Sequence, residues 1–399
     1  MGLSYRFDRL ELAGSLGDLG TLLPLAIGMI IINGLNPAGL FLSVGLFYMV
    51  SGVYFGVTSP VQPMKVIGAY AIATGMTASH ITASGFLVGL FLLVIGGTGA
   101  IGAIGKWIPK SVVRGVQLST GTLLMSQGVR FMVGTSKFQA LQQAAEPYLK
   151  FQTLGPIPVG IIIGIAGGLL TLLLLDNKRF PAGLVVIVSG LLLGIITGTH
   201  EGLAELRPGV NVPPFLPFGF PTGAELGFAC LVLVLPQIPM TVGNAVIANA
   251  DLSAEYFGKD SKKVTYRALC ISMGFANLFA FVVGGMPLCH GAGGLAAHYR
   301  FGARTAGSNL MIGLVFVLMA VFLGSHALAI TYLLPMAVLG VLLLFAGSQL
   351  ALTIIDVKER KDLFVALVML GITLASHLAV GFAVGIAIAL AIKSEKLTV

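Results

Sequence analysis

The chain has 399 residues, 56% of them hydrophobic and only 10% charged, and 23 Lys and Arg against 15 Asp and Glu give it a formal charge of +8. That balance excludes a water-soluble globule, because so few charged side chains cannot cover a surface around so much apolar material. It also argues against nucleic acid as partner of the basic excess, since the cations fall in short segments between long uncharged stretches.

In chain order, those uncharged stretches cover residues 19–64, 66–105, 151–175, 226–250, 268–299, 305–355 and 363–392. Each has room for one or two spans of about 20 residues, which predicts an all-α polytopic membrane protein of about 12 to 14 helices. Alternating apolar and polar ten-residue strands are absent, so helices rather than a transmembrane barrel must satisfy the backbone. Arg6, Asp8, Arg9 and Glu11 interrupt the start of the chain, so no removable signal peptide is expected. The first span then carries Gly17, Asp18, Thr21 and Pro24, and Asp18 is its one deeply set acid.

A break follows at Ser59-Pro60-Val61-Gln62-Pro63, with Met64 and Lys65 after it. Proline inside lipid frees backbone groups that must be buried in protein or given to a ligand. A short helix is expected from Pro63 to about Met76, with proline at its first position. Lys65 in the first turn opposes the helix dipole and costs at least about 2.5 kcal/mol to bury as a charge, so a negative partner is required. Asp18 and a bound anion are the two candidates, the first structural and the second functional.

Further along, residues 134–155 read as an external insertion and the Pro-rich residues 200–224 as an external linker. The eighth span holds Gln237, Thr241 and Asn244; Gln237 and Asn244 lie two turns apart and share a face. Hydrogen bonding between helices explains these groups as readily as ligand binding does. The second break, Gly285-Met286-Pro287-Leu288-Cys289, leads into His290-Gly291-Ala292-Gly293-Gly294 and a helix expected to end near Arg300. Glycines here admit either a ligand or a close-packed helix, and His290 suits either an anion or a proton. Cys230, Cys270 and Cys289 all fall in spans, so neither a disulfide framework nor a metal site is expected, and no cofactor is implied.

The two breaks repeat, because Pro287 minus Pro60 gives 227 and Pro335 minus Pro109, in matching Ile108-Pro109-Lys110-Ser111-Val112 and Leu334-Pro335-Met336-Ala337-Val338 segments, gives 226. An odd number of spans per repeat inverts the second copy, so about 14 segments divide seven plus seven into residues 1–199 and 225–399 around the linker. Half-helices after Pro63 and Pro287 then start at mid-membrane with their positive ends converging, an arrangement that holds an anion. With both termini cytoplasmic, Arg130, Lys137, Lys150 and Arg207 lie outside and Lys65 within the membrane, which leaves 18 of the 23 cations inside. The positive-inside rule therefore accounts for the basicity.

Several motifs together resemble the molybdate transporter family of plants and bacteria, within the sulfate permease superfamily. They are Glu-Leu-Ala-Gly-Ser-Leu-Gly-Asp-Leu-Gly-Thr at 11–21, Pro-Val-Gln-Pro-Met-Lys at 60–65, Gln-Ile-Pro-Met-Thr-Val-Gly-Asn-Ala-Val-Ile-Ala at 237–248, Cys-His-Gly-Ala-Gly-Gly-Leu-Ala at 289–296 and Tyr-Arg-Phe-Gly-Ala-Arg-Thr-Ala-Gly at 299–307. The resemblance implies core and gate domains, a substrate between the third and tenth helices, and uptake of molybdate across the cell (inner) membrane. It implies a site lined by Thr21, Gln62, Met64, Lys65, Gln237, Thr241, Asn244, Cys289, His290 and Gly291. Asp18 and His290, two titratable groups near that site, are the expected coupling groups. Sulfate permeases carry a cytoplasmic regulatory domain that this chain, ending at Val399, is expected to lack. Homodimers are common in the superfamily.

Sulfate, tungstate and dicarboxylates are the nearest rival cargoes, and a nucleobase would leave Lys65 without a reason. An enzyme is not expected: His200-Glu201 is followed by Ala204 where a metalloprotease needs a second His, and no Gly-x-Ser-x-Gly elbow occurs. No P-loop is present, so uphill transport must draw on an ion gradient, for which protons are the expected ion. A channel is separated from a carrier by saturable, concentrative uptake.

Overall fold

The computed structural model describes residues 5–101, 109–177, 180–206 and 209–392. Lys106, Ile108, Lys178, Arg179, Arg207, Lys393, Lys396 and Val399, used in the sequence reading, lie outside the described residues. The chain is mostly helical, as the long apolar stretches require. Apart from a short turn of helix at Lys137–Leu141, its helices are α1 (Arg9–Leu16), α2 (Leu19–Ile31), α3 (Pro37–Phe55), α4 (Lys65–Thr74), α5 (Ala78–Thr98), α6 (Lys110–Val133), α7 (Val159–Leu174) and α8 (Ala182–Thr197). There follow α9 (Gly223–Ser261), α10 (Tyr266–Val283), α11 (Ala292–Phe301), α12 (Ala306–Thr331), α13 (Met336–Asp356), α14 (Arg360–Ala375) and α15 (Leu378–Ile392).

Among the described residues six helices are long and apolar enough to cross a membrane, or seven if α1 and α2, bent by 44° around Gly17 and Asp18, count as one span. That is fewer than the sequence suggests, for a physical reason. Helices such as α7 and α8, of 16 residues each, reach only about 24 Å, and α4 and α11, of ten residues each, are half-spans.

Long helices cross where glycine lets backbones touch. Gly121 and Gly128 of α6 meet the carbonyls of Gly347 and Gly340 of α13, so the two helices run antiparallel. Gly45 of α3 meets Gly313 of α12, and Gly89 of α5 meets Gly274 of α10, in the same manner. Without a hydrophobic drive between helices in lipid, such close approach supplies the packing.

Between α3 and α4 lies the two-residue strand β1 (Gln62–Pro63); a surface hairpin of β2 (Thr153–Leu154) and β3 (Ile157–Pro158) follows α6, and β4 (Leu288–Cys289) precedes α11. β1 pairs antiparallel with β4, Gln62 opposite Cys289 and Pro63 opposite Leu288. Pro63 therefore sits in a strand and Pro287 just before one, and neither opens its helix as the sequence reading expected. The helices begin at Lys65 and Ala292 and stop at Gly75 and Gly302, whose φ values of 69° and 113° suit glycine.

Candidate functional site

The site starts from backbone groups that the two breaks strip of helical partners, and buried side chains take up nearly all of them. Asn309 accepts from the Ser59 N–H at 2.9 Å and donates to the Ser59 carbonyl at 2.7 Å, while Tyr48 donates to the Val61 carbonyl at 3.2 Å. Asn277 brackets Leu288 through its N–H and carbonyl at 2.9 and 2.8 Å, and Asn249 donates to the His290 carbonyl at 2.9 Å. Across the pair, the Met64 N–H reaches the Pro287 carbonyl at 2.9 Å. This is how irregular backbone is tolerated at membrane depth.

His290 belongs to that scaffold. Its Nδ1 lies 2.7 Å from the Pro60 carbonyl, which only accepts, so Nδ1 donates; Nε2 lies 3.1 Å from the Ser272 hydroxyl. The fully buried ring packs on Phe47 and Phe55. It therefore turns away from the space between the half-helices, contrary to its expected place in the site. Cys289 is likewise buried, its thiol 3.8 Å from the Pro63 carbonyl, and Met64, the residue after Pro63, is buried as well.

Gln237 sits where the sequence put it but with a different geometry. Pro236 and Pro239 remove backbone donors from α9, and wider π turns at Cys230–Val234 and Thr241–Ala248 flank them. Gln237 Oε1 then accepts from the Val66 and Ile67 N–H groups at 3.0 and 3.3 Å, and its Nε2 donates to Thr241 at 3.0 Å. Gln237, held by Thr241, thus caps α4, and two of that helix's free N–H groups are already spent. The N–H groups of Lys65 on α4 and of Ala292 and Gly293 on α11 have no protein acceptor among the described residues.

Lys65 and Gly293 line a cavity of about 590 Å³, and Ala292 precedes Gly293 in the chain. One wall carries Thr21, Lys65, Met240, Asn244 and Gly293, from α2, α4, α9 and α11; the other carries Gln117, Thr171, Gly183, Gln349 and Thr353, from α6, α7, α8 and α13. Asp176 and Arg300 also line it, with Arg300 Nη2 3.0 Å from the Asp176 carbonyl. A Cβ added to Gly293 would lie 3.9 Å from Lys65 Nζ, so the cation from one half-helix reaches the amino end of the other.

Asp18 lies directly behind this wall and is buried. It forms no ion pair with Lys65 among the described residues; its Oδ1 accepts from Gln62 Nε2 at 2.7 Å. Asp18 Oδ2 and Gln62 Oε1 are buried with no partner among the described residues. Gly291 and Gly294 make room for both, since a Cβ on Gly291 would overlap Gln62 Oε1 and one on Gly294 would crowd Asp18 Oδ2.

Of the residues singled out from the sequence, Thr21, Lys65 and Asn244 line the cavity, while Gln62, Asp18 and Gly291 form a layer behind it. Met240, Gln117, Gln349, Thr353 and Arg300 line it and were missed. The rule that flagged Gln237, a polar group deep in an apolar helix, would also have flagged Gln117.

A family model described as "Molybdate transporter of MFS superfamily" matches residues 10–124 and 229–350, which contain every segment around the cavity's first wall. The chain belongs to the molybdate transporter family. Molybdate transporter 2 of Arabidopsis thaliana is 31% identical to it, over 93% of this chain and 84% of the relative. Molybdate transporter 1 of Chlamydomonas reinhardtii is 27% identical, over 93% and 89%. In fold, this family member is similar to the transmembrane domain of the cyanobacterial bicarbonate transporter BicA, with a TM-score of 0.67 at 17% identity over 97% and 98% of the two chains. It is equally similar to the murine anion transporter Slc26a9 in its inward-facing state, with a TM-score of 0.67 at 16% identity over 99% and 70%. A molybdate transporter family member thus has a sulfate permease-like fold, as the motifs implied.

Proposed function

We propose that the protein imports molybdate across the cell membrane as a secondary active transporter, holding the dianion between the amino ends of α4 and α11. The observation that carries this reading is the pairing of β1 with β4, which sets Lys65 Nζ beside Gly293 at one cavity, where N–H groups at the amino ends of both half-helices lack protein acceptors among the described residues. The family relatives named as molybdate transporters supply the cargo. Two helix ends contribute roughly +0.5 each and Lys65 a full charge. With Asp18 protonated the site thus sums to roughly +2, matching a dianion, and with Asp18 ionised to roughly +1. Asp18, whose Oδ2 has no donor among the described residues, is the group we assign to a coupling proton.

Further parts of the reading are an inverted repeat of residues 1–199 and 225–399 about the linker, cytoplasmic termini, and movement of a core against a gate. Offsets support the repeat: Gly302 minus Gly75 and Cys289 minus Gln62 both give 227, and Gly284 minus Gly56, each ending a long helix with positive φ, gives 228. Pro109 and Pro335, the residues before α6 and α13, differ by 226.

Uptake of molybdate into proteoliposomes tests the reading. Lys65→Ala should abolish uptake in protein that remains folded, and normal uptake by the variant would overturn the assignment. A titration of purified protein with molybdate, tungstate and sulfate reads the selectivity.

A further inference from the structure

We propose that the wall opposite Lys65 carries a second oxyanion station, built on Gln117, where the ion rests between the central site and the Arg300 end of the cavity. The proposal rests on the reading of the chain as an oxyanion carrier. Gln117 lies two turns into α6, is 3% exposed, and lines the cavity. Its Oε1 receives Arg114 Nη1 at 2.7 Å and Thr353 Oγ1 at 2.9 Å. Arginine has no acceptor, so the atom it meets must be the amide oxygen and the orientation of the amide is fixed. With that oxygen engaged by Arg114 and by Thr353, whose hydroxyl also lies 2.8 Å from the Leu350 carbonyl, the Nε2 amide group is the end of this cavity-lining side chain without a protein partner among the described residues.

A group presenting two N–H donors and no acceptor selects for an oxyanion and against a cation or a hydroxyl donor. Arg114 behind it polarises the amide and strengthens those donors. Gln349 on the same wall adds a further neutral amide, and Arg300, exposed, stands at the rim. A weak neutral station is what a leaving ion needs, because a second lysine would hold it and an apolar wall would force it to cross bare.

Uptake of molybdate into right-side-out and inside-out membrane vesicles tests the station from each face. Gln117→Leu deletes the donors; Gln117→Glu keeps an oxygen for Arg114 and Thr353 but turns a repelling oxygen to the cavity. A lost hydrogen bond to a charged ligand is worth about tenfold to hundredfold in affinity. Both variants should raise half-saturating molybdate at least about tenfold from the Arg300 face, Gln117→Glu the more, with a change below about twofold from the other face. Unchanged half-saturation from the Arg300 face in both variants overturns the station, as does an equal rise from both faces. Wild-type vesicles that take up no molybdate from either face would instead sink the oxyanion reading itself.

Discussion

At Gly291 a methyl group has nowhere to go, because it would overlap Gln62 Oε1 and push that amide off Asp18. Gly291→Ala should therefore cut molybdate uptake at least about tenfold, since small displacements in a binding constellation cost that much or more. Gly97→Ala, where a Cβ would meet nothing within 4 Å, is the matching control and should leave uptake intact. Equal uptake by both variants would show that the Asp18, Gln62 and Gly291 layer is not needed. Residue identity was legible wherever lipid makes a polar group expensive, as at Lys65, Asp18 and Asn244. What the polar group faces was not legible: His290 and Gln237 satisfy backbone rather than line the cavity, and a histidine or glutamine reads the same in either role.

Between elements, the segment after α6 reaches across to α13 through a single carboxylate. Glu146 is fully buried, and its two oxygens each accept an N–H at the start of α13, from Met336 and Ala337, at 2.8 Å. Burial pushes this carboxyl up to about 7, against those two bonds that favour its ionised form. The folded state thus keeps a proton that the unfolded chain releases near 4.5. The stability this contributes is complete below about 4.5 and is lost as pH rises through about 7, a loss of up to roughly 3 kcal/mol. Thermal melting in detergent should fall from about pH 5 to about pH 8 in the wild type and stay flatter in Glu146→Gln; parallel curves would contradict this. The helices and both breaks were legible from long apolar runs and from Pro60, Pro63 and Pro287. The pairing of β1 with β4 was not, because two-residue strands carry no periodicity, and that pairing moved the prolines out of the helices they were expected to open.

For the whole molecule, the cavity joins two walls that share no sequence segment, so its far side was beyond a reading that followed motifs along the chain. Gln117, Gln349 and Thr353 come into play only through the crossing of α6 and α13. On the proposed charge balance, Asp18 carries the coupling proton. Asp18→Asn should still bind molybdate but lose the response of uptake to an inside-alkaline gradient, and a retained response would remove Asp18 from coupling.

The central claim is that the amino ends of α4 and α11 hold the anion together with Lys65. Molybdenum scatters anomalously at its absorption edge, so crystals grown with molybdate locate it directly. One strong peak is expected a single hydrogen-bonded oxygen away from Lys65 Nζ and from the Ala292 and Gly293 N–H groups. A well-occupied peak elsewhere, with that position empty, would contradict it.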